Sequence, residues 1–427
     1  MLYGRMKVDL SKRHRYLGLL ILFGLALFVR LLYIKLYPAD YLISSDGLTY
    51  SNIAENLLQG KGFITTIRDR DYAVGPVYPL LIAITYIFFG VKNYFAVVLL
   101  QAVISALTTV LAYLIGGRLF GKAYAWIPYL LMLAYPMFSF WTIYVLTETT
   151  YIFMITLFIW AAVFYSQNVQ RGKKHLSSTL LLGIILGLGN LVRPILLLIF
   201  PVLFFWQWFL HKWDFRKGLR DIILVGLAMS LVMSPWWVRN ALRYHQFVAV
   251  TNYGAYEFYA GNNPYTVTDD FFVMAAKTYD PEVKARVEKL PVMEQEAEYS
   301  KLAKTYILQH PIQCIERTLT KAVNLFWKPL TVGEQEFFKF SGYQTDAWYL
   351  VLGLIGGIMG LVQFRRYGFV VLLTLYYSLV VSLITIVQPA RYRVPIMPAI
   401  VILASLAVVN GIKMIVSRLR VGQCPQK

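Results

Sequence analysis

The chain is poor in acidic residues and nearly free of cysteine. Its 427 residues hold 22 Asp and Glu against 41 Lys and Arg, a net charge of +19, and two cysteines, Cys314 and Cys424. No GxxxxGKS/T loop, HExxH helix or CxxC pair occurs. That argues against a P-loop nucleotidase, a zincin and a thiol redox enzyme. The five histidines (14, 175, 211, 245 and 310) lie mostly in loops, and no Ser-His-Asp set can be read among them. Charged residues are only 15% of the chain and apolar ones 58%. Apolar runs of the length that spans a bilayer recur along nearly the whole sequence, so the expected fold class is an all-α polytopic membrane protein. Aromatics, 16% of residues, gather at the ends of those runs, as interfacial belts do. The basic excess sits in short loops between the runs, where it encodes topology. No nucleic-acid-binding motif accompanies it, and nucleic acid is not an expected partner.

The loop charges predict the topology. Arg5, Lys7, Lys12, Arg13 and Arg15 precede a first span at about 17–36 and place the N-terminus in the cytoplasm. No small-residue cleavage site follows that run, so it reads as an uncleaved span. The apolar piece 76–90 is short for a span, and letting it cross would turn the basic loops at Arg118, Lys122, Arg171, Lys173 and Lys174 outward. It is therefore expected on the outer surface. Further spans are expected at 94–116, 124–141, 146–165, 178–193, 194–210, 221–241, 346–363, 369–387 and 394–416. That makes ten spans with both termini inside, in the cytoplasmic (inner) membrane. Three regions result: 1–241 with a first outer loop at 37–93, an outer segment at 242–345, and 346–427 with a cytoplasmic tail. The outer segment holds one soluble-looking helix, ended by His310-Pro311, and an amphipathic one at 312–327 along the membrane surface. This topology puts the two cysteines on opposite sides, which argues against a disulfide.

Several ionisable residues then collect at the outer face: Asp46, Glu148, Arg193, Arg239, Arg243, Arg391 and Arg393. Charge at membrane depth is costly and marks a functional suspect. Glu148 and Arg193 read equally well as a structural pair, and Arg239 as a head-group anchor. Arg391 and Arg393 run against the positive-inside pattern, which favours a functional role. One carboxylate among several cations suits the breaking of a sugar–phosphate bond on a polyprenyl lipid. Arginines stabilise the charge growing on the departing phosphate, and the carboxylate takes the proton of an acceptor hydroxyl.

The residues resemble those of the GT-C integral-membrane glycosyltransferases, in particular the bacterial branch of glycosyltransferase family 39, the protein mannosyltransferase and aminoarabinose transferase relatives. The matching stretches are Asp46-x-x-x-Tyr50-x-x-x-Ala54-x-x-Leu57-x-x-Gly60, Gly75-Pro76-Val77-Tyr78-Pro79-Leu80, Arg118-Leu119-Phe120-Gly121, Leu146-Thr147-Glu148, Arg193-Pro194, Pro235-Trp236-x-x-Arg239-Asn240, Gly261-Asn262-Asn263-Pro264 and Ala390-Arg391-Tyr392-Arg393-Val394-Pro395. They follow the family's order over nearly the whole chain. The resemblance implies a GT-C fold with outer juxtamembrane helices, a polyprenyl-phosphate-sugar donor and inversion at the anomeric carbon. It implies Asp46 as the catalytic carboxylate. Tyr50, Tyr78, Glu148, Arg193, Arg239, Asn262, Arg391, Tyr392 and Arg393 are the matching substrate-binding candidates. The acceptor is a lipid, a polysaccharide or a protein, with membrane lipid as the surrounding partner.

The chain departs from that pattern at two points. Val74-Gly75-Pro76 stands where lipid A-modifying relatives carry Glu-Lys, and Gly47 stands where protein mannosyltransferases carry a second acid. A divalent cation at Asp46, Glu148, Asp69 and Asp71 is chemically possible, but no ligand spacing demands one. Two competing readings are a polytopic transporter or flippase and a lipid-linked glycan polymerase or ligase. A transporter would favour charges at the midplane and paired halves, neither of which the sequence shows.

Overall fold

The computed structural model describes residues 2–37, 45–67, 74–251, 254–266, 280–327, 343–384 and 389–421. Asp69, Asp71, Gln388 and Cys424 lie outside them. Every regular element among the described residues is helical. In chain order these are α1 (Leu2–Leu36), α2 (Ser45–Leu58), α3 (Val77–Phe89), α4 (Tyr94–Leu119), α5 (Trp126–Ala134), α6 (Met137–Phe140), α7 (Glu148–Gln170), α8 (Leu176–Val192) and α9 (Phe200–Leu210). They continue as α10 (Phe215–Tyr244), α11 (Gly254–Gly261), α12 (Pro281–Val287), α13 (Val292–Gln309), α14 (Pro311–Trp327), α15 (Tyr343–Val362), α16 (Phe364–Ile384), α17 (Pro389–Arg393) and α18 (Met397–Val421).

The chain is a multi-pass membrane protein. Among the described residues six helices are long and apolar enough to cross a bilayer: Tyr16–Leu36 within α1, α4, α7, α10, α16, and Arg391–Leu419 running through α18. Shorter apolar helices are α3, α8, α9 and the Asp346–Val362 part of α15. At 13 residues α3 is about 20 Å long, short of a 30 Å hydrocarbon core. It packs on α2 and α4 and leaves Ile87, Phe88 and Phe89 exposed.

Prolines and capping residues set the boundaries. Asn93 opens α4 by accepting from the Ala96 amide at 3.1 Å. Asp214 opens α10 by accepting from Lys217 N at 3.2 Å. Arg193 is extended ahead of Pro194 (φ −148°, ψ 125°), which ends α8 and separates it from α9 across a 3-10 turn. The run 124–141, expected as one span, is not one continuous helix. Tyr135 is extended ahead of Pro136, so α5 stops at Ala134 and the short α6 follows. A proline here removes an amide donor and crowds the preceding turn.

Membrane helices gain little from burying apolar surface against one another, so close packing and buried hydrogen bonds join them. Arg30 of α1 is fully buried and donates to Ser105 Oγ (3.2 Å) and Thr109 Oγ1 (2.7 Å) of α4. Gly183 of α8 lies against α10, where a Cβ would come 2.4 Å from the Val225 carbonyl oxygen. Gly356 of α15 is tighter still: a Cβ there would stand 1.8 Å from the Leu403 carbonyl oxygen of α18. At neighbouring Gly357 the nearest atom is 4.0 Å away.

Gly356→Ala is therefore expected to force α15 from α18, at a cost of about 1–3 kcal/mol or more. Gly357→Ala should be neutral. Thermal melting of the detergent-solubilised variants checks this, and equal melting temperatures for the two would refute the packing assignment.

Candidate active site

The site begins with a buried carboxylate. Glu148 is the first residue of α7 and is 0% exposed. Its Oε1 accepts from Arg193 Nη2 at 2.7 Å and from Arg391 Nε at 2.5 Å. Arg193, just past the end of α8, also donates from Nε to Thr147 Oγ1 at 2.6 Å. Arg391 comes from α17, and its guanidinium lies 5.7 Å from the centre of the Trp141 ring. One carboxylate against two guanidiniums leaves an excess of one positive charge. Both arginines keep a partly exposed edge.

The tyrosines line the same place. Tyr50, one turn after Asp46 on α2, is buried and meets the Tyr78 ring edge-on at 5.2 Å. Burial pushes the Tyr50 hydroxyl above its ordinary pKa, and the charges of Asp46, Arg193, Glu148 and Arg391 all act on it. Tyr78 donates to Gln101 Oε1 at 2.9 Å. Gln101 Nε2 in turn donates to the Thr142 and Tyr144 carbonyls at 2.9 and 2.8 Å. Its amide thus satisfies the irregular backbone after α6, as buried non-helical chain requires. The Tyr392 backbone carbonyl accepts from Tyr377 OH at 3.0 Å.

Arg239, Asn262 and Arg393 make tethering contacts. Arg239 donates to the Phe63 carbonyl at 2.5 Å with its guanidinium 4.9 Å from the Trp236 ring, tying the chain after α2 to α10. Asn262 donates to the carbonyls of Phe258 and Leu383, both at 2.9 Å, which fixes the end of α11 on α16. Arg393 pairs with Asp346 and donates to the Leu325 carbonyl at 2.8 Å, joining α17, α15 and the end of α14.

Glu148, Arg193 and Arg391 thus form a positively biased cluster at converging helix ends, and the charges of Asp46 and of all three act on Tyr50. The dolichyl-phosphate-mannose-protein mannosyltransferase family matches residues 73–238, under half of the chain. The archaeal oligosaccharyltransferase AglB from Archaeoglobus fulgidus superposes with a TM-score of 0.56 at 16% identity, over 95% of this chain and 52% of that one. A second structure of the A. fulgidus oligosaccharyltransferase, tethered with an acceptor peptide, gives 0.53 at 14% identity, over 96% and 51%. The chain shares its fold with these oligosaccharyltransferase structures.

At these identities the likeness is one of fold, and the chain spans about half the length of the oligosaccharyltransferase it matches. ArnT from Cupriavidus metallidurans, bound to undecaprenyl phosphate, gives a TM-score of 0.47 at 15% identity, over 90% of this chain and 78% of that one. No curated protein matches the chain.

Sequence reasoning missed Glu257. It lies on α11, where the charges of Asp46 and Arg391 both act on it. Lys321 holds α11 from α14 by donating to the Gly261 carbonyl at 3.2 Å, and Glu296 of α13 accepts from the Ala255 amide at 2.9 Å. Glu257 lies in the first turn of α11, and nothing in its local sequence marked it as part of a site. Burial, reinforced by the charge of Asp46 and opposed by Arg391, pushes its carboxyl up to about 7 from an ordinary 4.5.

The sign follows from linkage. Between pH 4.5 and about 7 the unfolded carboxyl has lost its proton while the folded one keeps it, so this group's contribution to stability falls as pH rises through that window. Glu257→Gln has no proton to lose. Its melting temperature relative to wild type should rise between pH 5 and pH 8, and a pH-independent difference would refute the assignment.

Proposed function

We propose that the protein is a glycosyltransferase. It moves a sugar from a polyprenyl-phosphate donor to a hydroxyl-bearing acceptor, lipid, glycan or protein, at the outer face of the membrane. The observation that carries the reading is the Arg193–Glu148–Arg391 cluster, whose excess positive charge stands in electrostatic reach of the residues around Asp46. The dolichol-phosphate held in the AglB complex is a lipid phosphate of the class proposed.

In this reading the acceptor oxygen attacks the anomeric carbon and gives its proton to Asp46. The bond from the anomeric carbon to the phosphate oxygen breaks, its electron pair leaves with the lipid phosphate, and the anomeric configuration inverts. The phosphate needs little acid help, because it departs as a stable anion. Arg193 and Arg391 stabilise the charge it gains. Glu148 is a positioning residue: its Oε1 accepts from the two guanidiniums that it holds against their mutual repulsion. Tyr50 and Tyr78 are apolar rings suited to flank a sugar face.

Purified protein incubated with a panel of labelled polyprenyl-phosphate sugars tests this. Asp46→Asn should lower transfer by about 10²- to 10⁴-fold, the usual contribution of a general base, without loss of folding. Wild-type turnover in that variant would remove Asp46 from the chemistry. Arg391→Lys keeps the charge and loses the planar fork, so it should raise the donor KM more than the acceptor KM. Unchanged donor kinetics would detach the phosphate from Arg391.

A further inference from the structure

The α7–α8 hairpin carries polar clusters at both ends. The Glu148–Arg193 pair closes one end. The other lies one helix length away, about 25 Å for the 17 residues of α8. There His175 precedes α8, His211 follows α9, and Asp221 projects from the first turns of α10. His211 Nε2 is 2.8 Å and His175 Nε2 3.0 Å from the same oxygen, Asp221 Oδ2. The Asp221 and His211 side chains are only 1% and 6% exposed. None of these residues takes part in the proposed sugar transfer.

We propose that His175, His211 and Asp221 form a binding site for a zinc-class divalent cation. Two imidazoles and one carboxylate are a common donor set for such ions, and the three ligand atoms lie within 4.8 Å of one another. Tetrahedral bonds of about 2.0–2.1 Å put ligand atoms roughly 3.3 Å apart. The two His–Asp pairs, at 2.8 and 3.0 Å, need open by a few tenths of an ångström, and the two imidazole nitrogens, within 4.8 Å of each other, adjust toward the same spacing.

The surroundings orient the ligands as outer-sphere groups do. His175 Nδ1 donates to the Lys173 carbonyl at 3.2 Å, which leaves its Nε2 lone pair facing Asp221. Arg220 grips Asp221 Oδ1 through Nε (2.9 Å) and Nη2 (2.7 Å), and Tyr165 OH donates to Oδ2 at 2.6 Å. Without metal, Arg220 Nη2 also donates to His175 Nε2 at 2.8 Å. A cation that takes the Nε2 lone pair replaces that one bond, and the half-exposed Arg220 side chain can turn that N–H to water while Nε keeps its bond to Asp221 Oδ1. His211 binds by shifting its ring proton to Nδ1.

The test is metal content and affinity on the full-length, tag-free protein in detergent. After chelator treatment and addition of Zn²⁺, mass-spectrometric metal analysis should find one equivalent per chain. Co²⁺ should give ligand-field absorption in the visible. His211→Ala and His175→Ala should each weaken Zn²⁺ binding at least tenfold, while Asp46→Asn leaves it unchanged. Wild type that takes up no zinc at micromolar concentrations, or zinc binding indifferent to both histidine variants, would overturn the proposal and leave the cluster a hydrogen-bond hub. Wild-type metal content decides the matter even if a variant fails to fold.

Discussion

The site rests on one buried carboxylate held between two arginines. An unpaired charge at membrane depth costs several kcal/mol, and each member of the Arg193–Glu148–Arg391 set is tolerated because the others are there. The three residues come from the start of α7, the turn after α8, and α17. Their pairing therefore fixes where these elements end relative to one another. Removing Glu148 would leave two guanidiniums facing each other, so the effect would spread through the whole cluster.

Around that cluster the helices are broken, and prolines do the breaking. Pro136 separates α5 from α6, and Pro194 separates α8 from α9. Irregular backbone inside a membrane protein must find its hydrogen bonds within the protein. Gln101 meets the Thr142 and Tyr144 carbonyls, Ser105 Oγ donates to the Phe138 carbonyl at 2.9 Å, and Thr149 Oγ1 donates to the Trp141 carbonyl at 2.9 Å. The polar side chains of α4 thus support the irregular segment that delivers Glu148. Asn262, Lys321 and Arg393 do the same for α11 and α17.

Much of the fold was legible in the sequence, because a bilayer imposes length and polarity rules that a single helix must obey by itself. Apolar runs announced the long helices, and Arg193-Pro194 announced the break between α8 and α9. The break at Tyr135-Pro136 was passed over because residues 124–141 remain apolar throughout, and hydropathy does not register a lost amide donor. Asp46, Glu148, Arg193 and Arg391 stood out as charges at the ends of apolar runs. Glu257 did not, since a carboxylate in a polar segment is unremarkable until other elements pack over it. His175, His211 and Asp221 likewise sit in loops or helix ends many residues apart.

The sequence by itself determined that this is an all-helical, multi-pass membrane protein with its conspicuous charges at run ends, because hydropathy and capping act over a few residues. Only the tertiary structure decided which of those charges meet. Glu148 and Arg391 are 243 positions apart in the chain. Bringing them to hydrogen-bonding distance takes the close packing of glycine-lined helices and the shared cost of burying charge, neither of which a local run of residues encodes.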